Sequence, residues 1–187
     1  MKFWLAAIAI AGFGQEFRVG SKVQDFSLND LKNSPVSYSS LKGDTTVVAF
    51  IATRCPVSNA YNERMENLYK EYSTKRVKFI FVNANRNEDA AEVMEHAGSS
   101  GFTFPVYKDR GSAAAERFGA QVTPETYVID RSGTIRYHGS IDDSQNPARI
   151  RNQGLRAALD AVLAGRNVQN AETKAFGCTI KRTRGTL

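Results

Sequence analysis

Two runs of β-branched and aromatic residues, TTVVAFIAT (45–53) and VKFIFVNAN (77–85), constrain this chain more than any other feature. Neither alternates cleanly between apolar and polar positions, so each is expected to be a central strand covered on both faces. The stretch between them, PVSNAYNERMENLYKEYSTK, sets Val57, Tyr61, Met65, Leu68 and Tyr72 at helical spacing, with Glu, Asn, Lys and Arg on the other side. Pro56 suits the first turn of that helix, where no amide partner is lost. Strand, helix and strand of these lengths make a βαβ unit, and its crossover requires parallel pairing.

The remaining pattern extends this unit. EDAAEVMEHAG reads as a second helix closed by Gly98, FTFPVY as a short strand and SAAAERFG as a short helix. TYVID and TIRYHG flank Arg131-Ser132-Gly133, a hairpin with glycine at a left-handed position. ARIRNQGLRAALDAVLAG makes a last amphipathic helix with Ile150, Leu155, Leu159 and Val162 inward, ended by Gly165. Beyond it lies an irregular tail. The expected fold class is therefore α/β: a mixed sheet, parallel strands first and an antiparallel hairpin after, with helices on both faces.

The first residues, MKFWLAAIAIAGFG, form a different object. Lys2 gives a positive start, and the apolar run that follows is too short to span a bilayer and ends in small residues. This pattern predicts a secretory signal over 1–14, cut near Gly14 or Gln15, with an uncleaved anchor as the alternative and the only membrane contact expected. Trp4 is the sole tryptophan, so the processed protein should contain none. The remainder divides into one domain over 15–166 and a tail over 167–187. Export to a periplasmic or extracellular compartment is expected, where disulfides persist. The net charge of +6 is spread along the chain, with a small cluster only at Lys181, Arg182 and Arg184. That is the charge of a solvated surface, and no nucleic-acid partner is expected.

The chemistry concentrates on IATRCPVS (51–58), where the first apolar run gives way to Cys55. A thiol reacts as its thiolate, and a helix N-terminus stabilises that anion. Arg54 adds a cation if its side chain turns to the sulfur. The carboxyl end of a central parallel strand is also where open α/β sheets bind ligands. The alternatives are a buried core thiol or half of a passive bridge to Cys178, the only other cysteine. A second stretch, AQVTPETYVID, places Pro124 after Thr123 and just before an apolar strand. Proline there belongs at the strand start or in a tight turn.

The order of these stretches resembles the thioredoxin fold, and specifically the redoxin or alkyl hydroperoxide reductase/thiol-specific antioxidant family. The resemblance runs from VGSKVQDFSLND and SYSSLKG through TTVVAFIATRCPVS to AQVTPETYVIDRSGTIRYHGSIDD. It implies that Cys55 is the nucleophile, that Thr123-Pro124 is a cis peptide lying against it, and that Thr123 offers backbone hydrogen bonds to an extended peptide or to the sulfur. Thr53, Arg54, Pro56, Ser58 and Glu125 are the further residues expected to support the site.

Two departures limit what the resemblance implies. The Cys-x-x-Cys of thioredoxins and of exported thiol–disulfide oxidoreductases is met here by Cys55 and Ser58. The proline and threonine or serine that precede a peroxidatic cysteine by seven and three residues are met by Val48 and Ala52, with Thr53 one place off. A lone Cys55 forms a mixed disulfide or a sulfenic acid and needs a second thiol to release it. Cys178 is the sole internal candidate, with Gly177 giving local backbone freedom and Lys181 and Arg182 as cations near it. Its role as resolving cysteine, passive bridge or independent thiol stays open. Glu125 is either a proton shuttle near Cys55 or a solvated group at the strand start. His96 and His138 read as ordinary surface or hydrogen-bonded residues, with copper held by Cys55 and His138 the minor alternative. No cofactor or nucleotide site is expected. The expected function is an exported thiol–disulfide oxidoreductase acting on protein or small-molecule disulfides with an external thiol donor. The alternatives are peroxide reduction at the same cysteine and a non-catalytic binding module.

Overall fold

A computed structural model describes residues 17–182, so the expected leader and Arg184 lie outside the described residues. The first long apolar run forms β3 (Thr45–Ile51) and the second β4 (Val77–Asn83), paired in parallel with Val48 opposite Ile80. A third parallel strand, β5 (Val106–Lys108), adds to β4, and the antiparallel hairpin of β7 (Glu125–Ile129) and β8 (Ile135–Gly139) adds to the other side of β3. Its turn contains Gly133 at φ +80. Two short strands that the sequence pattern did not reveal, β1 (Ser27–Asn29) and β2 (Pro35–Ser37), extend the edge beyond β5, so the sheet runs β2-β1-β5-β4-β3-β7-β8.

Every residue of β3 is buried, which explains its lack of alternation: both faces of the strand meet a core. On one face Val47, Ala49, Ile51, Phe79 and Phe81 pack against Met65, Leu68 and Tyr72 of α3 (Asn62–Ser73) and Leu155 and Leu159 of α6 (Gly154–Leu163). On the other, Val48, Phe50, Ile80 and Val82 meet Tyr38 of α1 (Tyr38–Leu41) and Ala114, Ala115 and Phe118 of α5 (Ala113–Phe118). Burying side chains of this size stabilises by roughly 1.5–3 kcal/mol each. The two faces together fix the height at which β3 ends, and so the position of Cys55.

Three sequence expectations shift. The helix after Cys55 is not continuous: α2 (Pro56–Asn59) is a single turn, and α3 starts anew after Tyr61. The Tyr61 amide bonds to the Ser58 carbonyl, and its buried ring carries a hydroxyl bound to Asp142 at 2.9 Å. That anchor re-aims the chain without a proline or glycine. The helix α4 (Ala90–Ser99) runs through Gly98, and the left-handed glycine is Gly101. Finally, α6 begins at Gly154 rather than near 148, because Asp143 holds the Arg151 amide and the Asn152 side chain at 2.9 Å each. Ile150 therefore precedes the helix and is only half-buried. Among the described residues no helix is long and apolar enough to cross a membrane.

The segment read as an irregular tail is ordered against the domain. Thr173 donates its amide to the His138 carbonyl at the open edge of β8, and the His138 amide bonds to Ala171. The chain then forms β9 (Cys178–Thr179), antiparallel to β6 (Val122–Thr123), with Thr123 opposite Cys178.

Candidate active site

Cys55 sits four residues past the end of β3 as the N-cap of α2, and its sulfur accepts the Ser58 amide at 3.2 Å. Pro56 occupies the first helical position. Because α2 is one turn long, its dipole is small, and the Ser58 amide is the helical donor that bonds the sulfur. Ser58 is buried, and its hydroxyl accepts the Ala52 amide at 3.1 Å, tying the helix start to the end of β3. Ser58 thus sets the backbone geometry in the place where a second thiol would stand in Cys-x-x-Cys.

The loop that delivers Cys55 rests on a charge network with no sequence signal. The buried Glu88 carboxylate accepts the amides of Thr53 and Arg54 at 2.9 and 3.0 Å and the Asn83 side-chain amide at 2.6 Å. The Thr53 carbonyl is held by Asn59. Burial raises the Glu88 pKa, but these donors outweigh it and hold the carboxyl below its ordinary range. Beneath it lies the buried Lys108, whose ammonium donates to Asn83 Oδ1, the Asn85 carbonyl and the Glu88 carbonyl. Desolvation pulls its pKa down against the attraction of Glu88. Glu88 looks in sequence like a solvated residue before a helix cap, and Lys108 like the polar end of a short strand. Nothing local reveals that the fold buries both.

Arg54 does not supply the cation expected beside the sulfur. Its guanidinium makes a bidentate pair with Glu92 at 2.6 and 2.7 Å, and its side chain is 59% exposed.

The opposite wall comes from the loop before β7. Thr123-Pro124 is a cis peptide, the geometry the resemblance implied. The Thr123 carbonyl lies 3.4 Å from the Cys55 sulfur. Glu125 follows directly and is buried at 3% exposure, not solvated. Its Oε2 accepts the amides of Gln121 and Val122 at 2.7 and 3.0 Å, and its Oε1 meets the His138 ring at 2.6 Å and the Tyr127 hydroxyl. Burial pushes its pKa up, and His138 with the two amides pulls it below the ordinary carboxylate value. Glu125 therefore braces the backbone of β6. His138 stacks on Tyr127, with ring centroids 4.4 Å apart. Among the described residues no three His, Cys, Asp or Glu side chains cluster as a metal site.

Cys178 closes the site. It is joined to Cys55 by a disulfide across 123 residues of sequence, with Cα atoms 5.8 Å apart. Cys55, expected at an exposed strand-to-helix turn, is 3% exposed because the tail lies over it. Gly177 is pressed on the Thr123 carbonyl rather than free, and Arg182 donates to the Ala120 carbonyl instead of facing Cys178. The structure thus brings Cys55, Ser58, Thr123, Pro124 and Cys178 together, with Thr53 and Pro56 contributing backbone. Arg54 and Glu125 act at one remove.

A parallel β3-β4-β5 core, an antiparallel hairpin, and a cysteine-bearing turn facing a cis-proline define a thioredoxin-like protein. The AhpC/TSA family model matches residues 19–138, and the chain belongs to that family. It is 31% identical over 118 residues to the thiol-disulfide oxidoreductase ResA of Halalkalibacterium halodurans, a stretch covering 63% of this chain and 66% of that protein. The chain thus spans just under two thirds of that relative's length. Two crystal structures are similar over 91% of this chain. An uncharacterized conserved protein from Geobacillus kaustophilus has 30% identity, a TM-score of 0.83 and 95% of its length covered. A hypothetical protein from Sinorhizobium meliloti 1021 has 29% identity, a TM-score of 0.81 and 98% covered.

Proposed function

We propose that this protein is a thiol–disulfide oxidoreductase in which Cys55 is the nucleophile and Cys178 the resolving cysteine of the same chain. The observation that carries the reading is the meeting of two cysteines 123 residues apart at the end of β3, beside the cis Thr123-Pro124 peptide. The similarity to ResA, which carries the name thiol-disulfide oxidoreductase, supports the same chemistry.

In the reduced protein the Cys55 thiolate attacks one sulfur of a substrate disulfide. A Cys55–substrate disulfide forms, the substrate S–S bond breaks, and the other substrate sulfur leaves as a thiolate with the electron pair. Cys178, as thiolate, then attacks the Cys55 sulfur, forms the intramolecular bridge and releases the second substrate thiolate. Two electrons pass from the dithiol to the substrate, and an external thiol donor restores the dithiol. The Ser58 amide stabilises the Cys55 anion, and in the thiol form the S–H donates a hydrogen bond to the Thr123 carbonyl. Substrates are protein or small-molecule disulfides outside the cytoplasm, in keeping with the secretory pattern of residues 1–14.

The test is mass spectrometry of reduced wild type and Cys178→Ser after mixing with glutathione disulfide. The variant is expected to accumulate a glutathione adduct on Cys55, and wild type to pass on to the closed bridge. A wild type that holds the adduct as the variant does overturns the resolving role. Alkylation of Cys55 at neutral pH no faster than free cysteine overturns the nucleophile, and leaves a scaffold with a structural bridge.

A further inference from the structure

The tail does more than deliver a sulfur. In the stretch 176–180, Phe-Gly-Cys-Thr-Ile, the chain bends at Gly177 and then pairs with the edge of β6, with Thr179 opposite Val122 and the Ile180 amide on the Gln121 carbonyl at 2.9 Å. Phe176 packs edge-on to Tyr61 with ring centroids 6.2 Å apart, and Ile180 is 5% exposed in the core beneath α5. Beyond it the Lys181 amide meets Asn85 Oδ1 at 2.7 Å, so the segment is gripped on both sides of its cysteine. Between these anchors, Gly177 runs at φ +155 directly over the cis peptide. A Cβ there would overlap the Thr123 carbonyl oxygen and lie 2.7 Å from its carbon and 3.4 Å from Pro124 N. These are backbone atoms, which cannot swing aside as a flexible side chain does. The seat accepts a main chain with no side chain before the cysteine.

We propose that this tail is an internal copy of the substrate, and that the β6 edge selects extended peptides carrying glycine immediately before the reactive cysteine and an apolar residue two places after it. The inference rests on Cys55 being the exchanging thiol. An external peptide disulfide-linked to Cys55 places its own sulfur where Cys178 sits, so its backbone meets the same Thr123 carbonyl. Strand addition supplies the main-chain hydrogen bonds, and the side-chain seats supply selectivity. Tail and substrate compete for one edge, so the tail also screens Cys55 from peptides that fit the edge poorly.

The experiment uses full-length Cys178→Ser, reduced, and two peptides: Ala-Phe-Gly-Cys-Thr-Ile-Lys and its Ala-Phe-Ala-Cys-Thr-Ile-Lys counterpart. Each cysteine is activated as a mixed disulfide with 5-thio-2-nitrobenzoate. Cys55 attacks the peptide sulfur, a Cys55–peptide disulfide forms, and nitrothiobenzoate leaves as a coloured thiolate. The glycine peptide is expected to react at least tenfold faster, and rates within twofold of each other overturn the inference. Attack on the free reagent, 5,5′-dithiobis(2-nitrobenzoate), by the same protein reports Cys55 itself: a rate no greater than that of free cysteine sinks the oxidoreductase reading instead. In a second arm, Gly177→Ala with both cysteines kept is titrated with glutathione redox buffers. The equilibrium for closing the Cys55–Cys178 bridge is expected to fall at least tenfold, and an unchanged equilibrium overturns the seat.

Discussion

The network under the Cys55 loop can be broken by replacing one atom. Glu88→Gln keeps the shape of the side chain but turns one carboxylate oxygen into an NH2 group. In the folded protein one oxygen accepts the Thr53 amide and Asn83, and the other accepts the Arg54 amide. A glutamine whose carbonyl keeps the first pair presents its NH2 to the Arg54 amide, donor against donor. Hydrogen bonds to a charged acceptor contribute about 1.5–3 kcal/mol each, and an unsatisfied buried donor costs about 1–3 kcal/mol. The neighbouring Lys108 ammonium, linked to Glu88 through Asn83, also loses its compensating charge. The expected loss is about 2–4 kcal/mol, which for a urea slope of about 2 kcal/mol per molar lowers the midpoint by about 1–2 M. Lys108→Met should cost less in the Glu88→Gln background than in wild type, with a coupling of about 1 kcal/mol or more. A midpoint lowered by less than about 0.3 M, or strict additivity of the two substitutions, refutes the view that this pair supports the active-site loop.

Reduction of the bridge, or Cys178→Ser, should lower stability by about 5 kcal/mol, because the closed loop spans 123 residues and its loss frees the unfolded chain. Paired urea curves with and without dithiothreitol check this, and a loss under about 1 kcal/mol contradicts it. The folded pKa values of Glu88 and Glu125 lie below their ordinary 4.5, so their stabilisation is fully present above that pH and is lost as pH falls through the lowered values. Urea midpoints from pH 7 to pH 3 should therefore drop more steeply for wild type than for Glu125→Gln, and parallel curves count against the brace on β6. Arg54→Ala should leave the alkylation rate of reduced Cys55 within about twofold, since its guanidinium faces Glu92 and exposed charges are screened. A tenfold fall would restore it as the thiolate's cation. Reduced protein should lose thiol to hydrogen peroxide no more than about thirtyfold faster than free cysteine at neutral pH, the gain that ionisation of the thiol gives by itself, because Ala52 brings no hydroxyl to the sulfur. Stopped-flow mixing decides this, and a much faster loss points to peroxide reduction.

The fold was legible where burial is two-sided and repetitive. Runs such as TTVVAFIAT announce a central strand because every position must be apolar or small to lie between two cores. The Arg131-Ser132-Gly133 hairpin announced itself through local turn chemistry. What stayed hidden depends on pairing across long separations. The strands β6 and β9 are too short to carry a pattern, and each exists only because the other covers its edge. The break at Tyr61 follows from a hydroxyl finding Asp142, which lies 81 residues away. The same logic divides the site. Cys55 and Thr123-Pro124 stood out through residue type and position, whereas Glu88 and Lys108 are common surface residues made unusual only by where the chain folds them. Gly177 was noticed for backbone freedom, and the structure gives it the opposite meaning, the absence of a side chain in a close approach.

That close approach bears on why the second thiol stands so far away in sequence. In a Cys-x-x-Cys turn the resolving sulfur occupies the place of Ser58, is always at hand, and leaves the docking edge empty. Here Ser58 spends its hydroxyl on the Ala52 amide, and under the proposed exchange the resolving sulfur would be that of Cys178, which lies on a strand that fills the edge. A bound peptide and Cys178 cannot both lie opposite Thr123, so the attack that resolves a mixed disulfide requires the tail to displace the peptide strand. Release and reoxidation then become a single event. On this reading, shortening the contact between tail and β8, by Thr173→Pro at the amide that bonds His138, should slow closure of the bridge while leaving first attack on an external disulfide unchanged. Quenched-flow alkylation separates the two steps: equal slowing of both would show that the tail segment supports the fold as a whole rather than the return of Cys178.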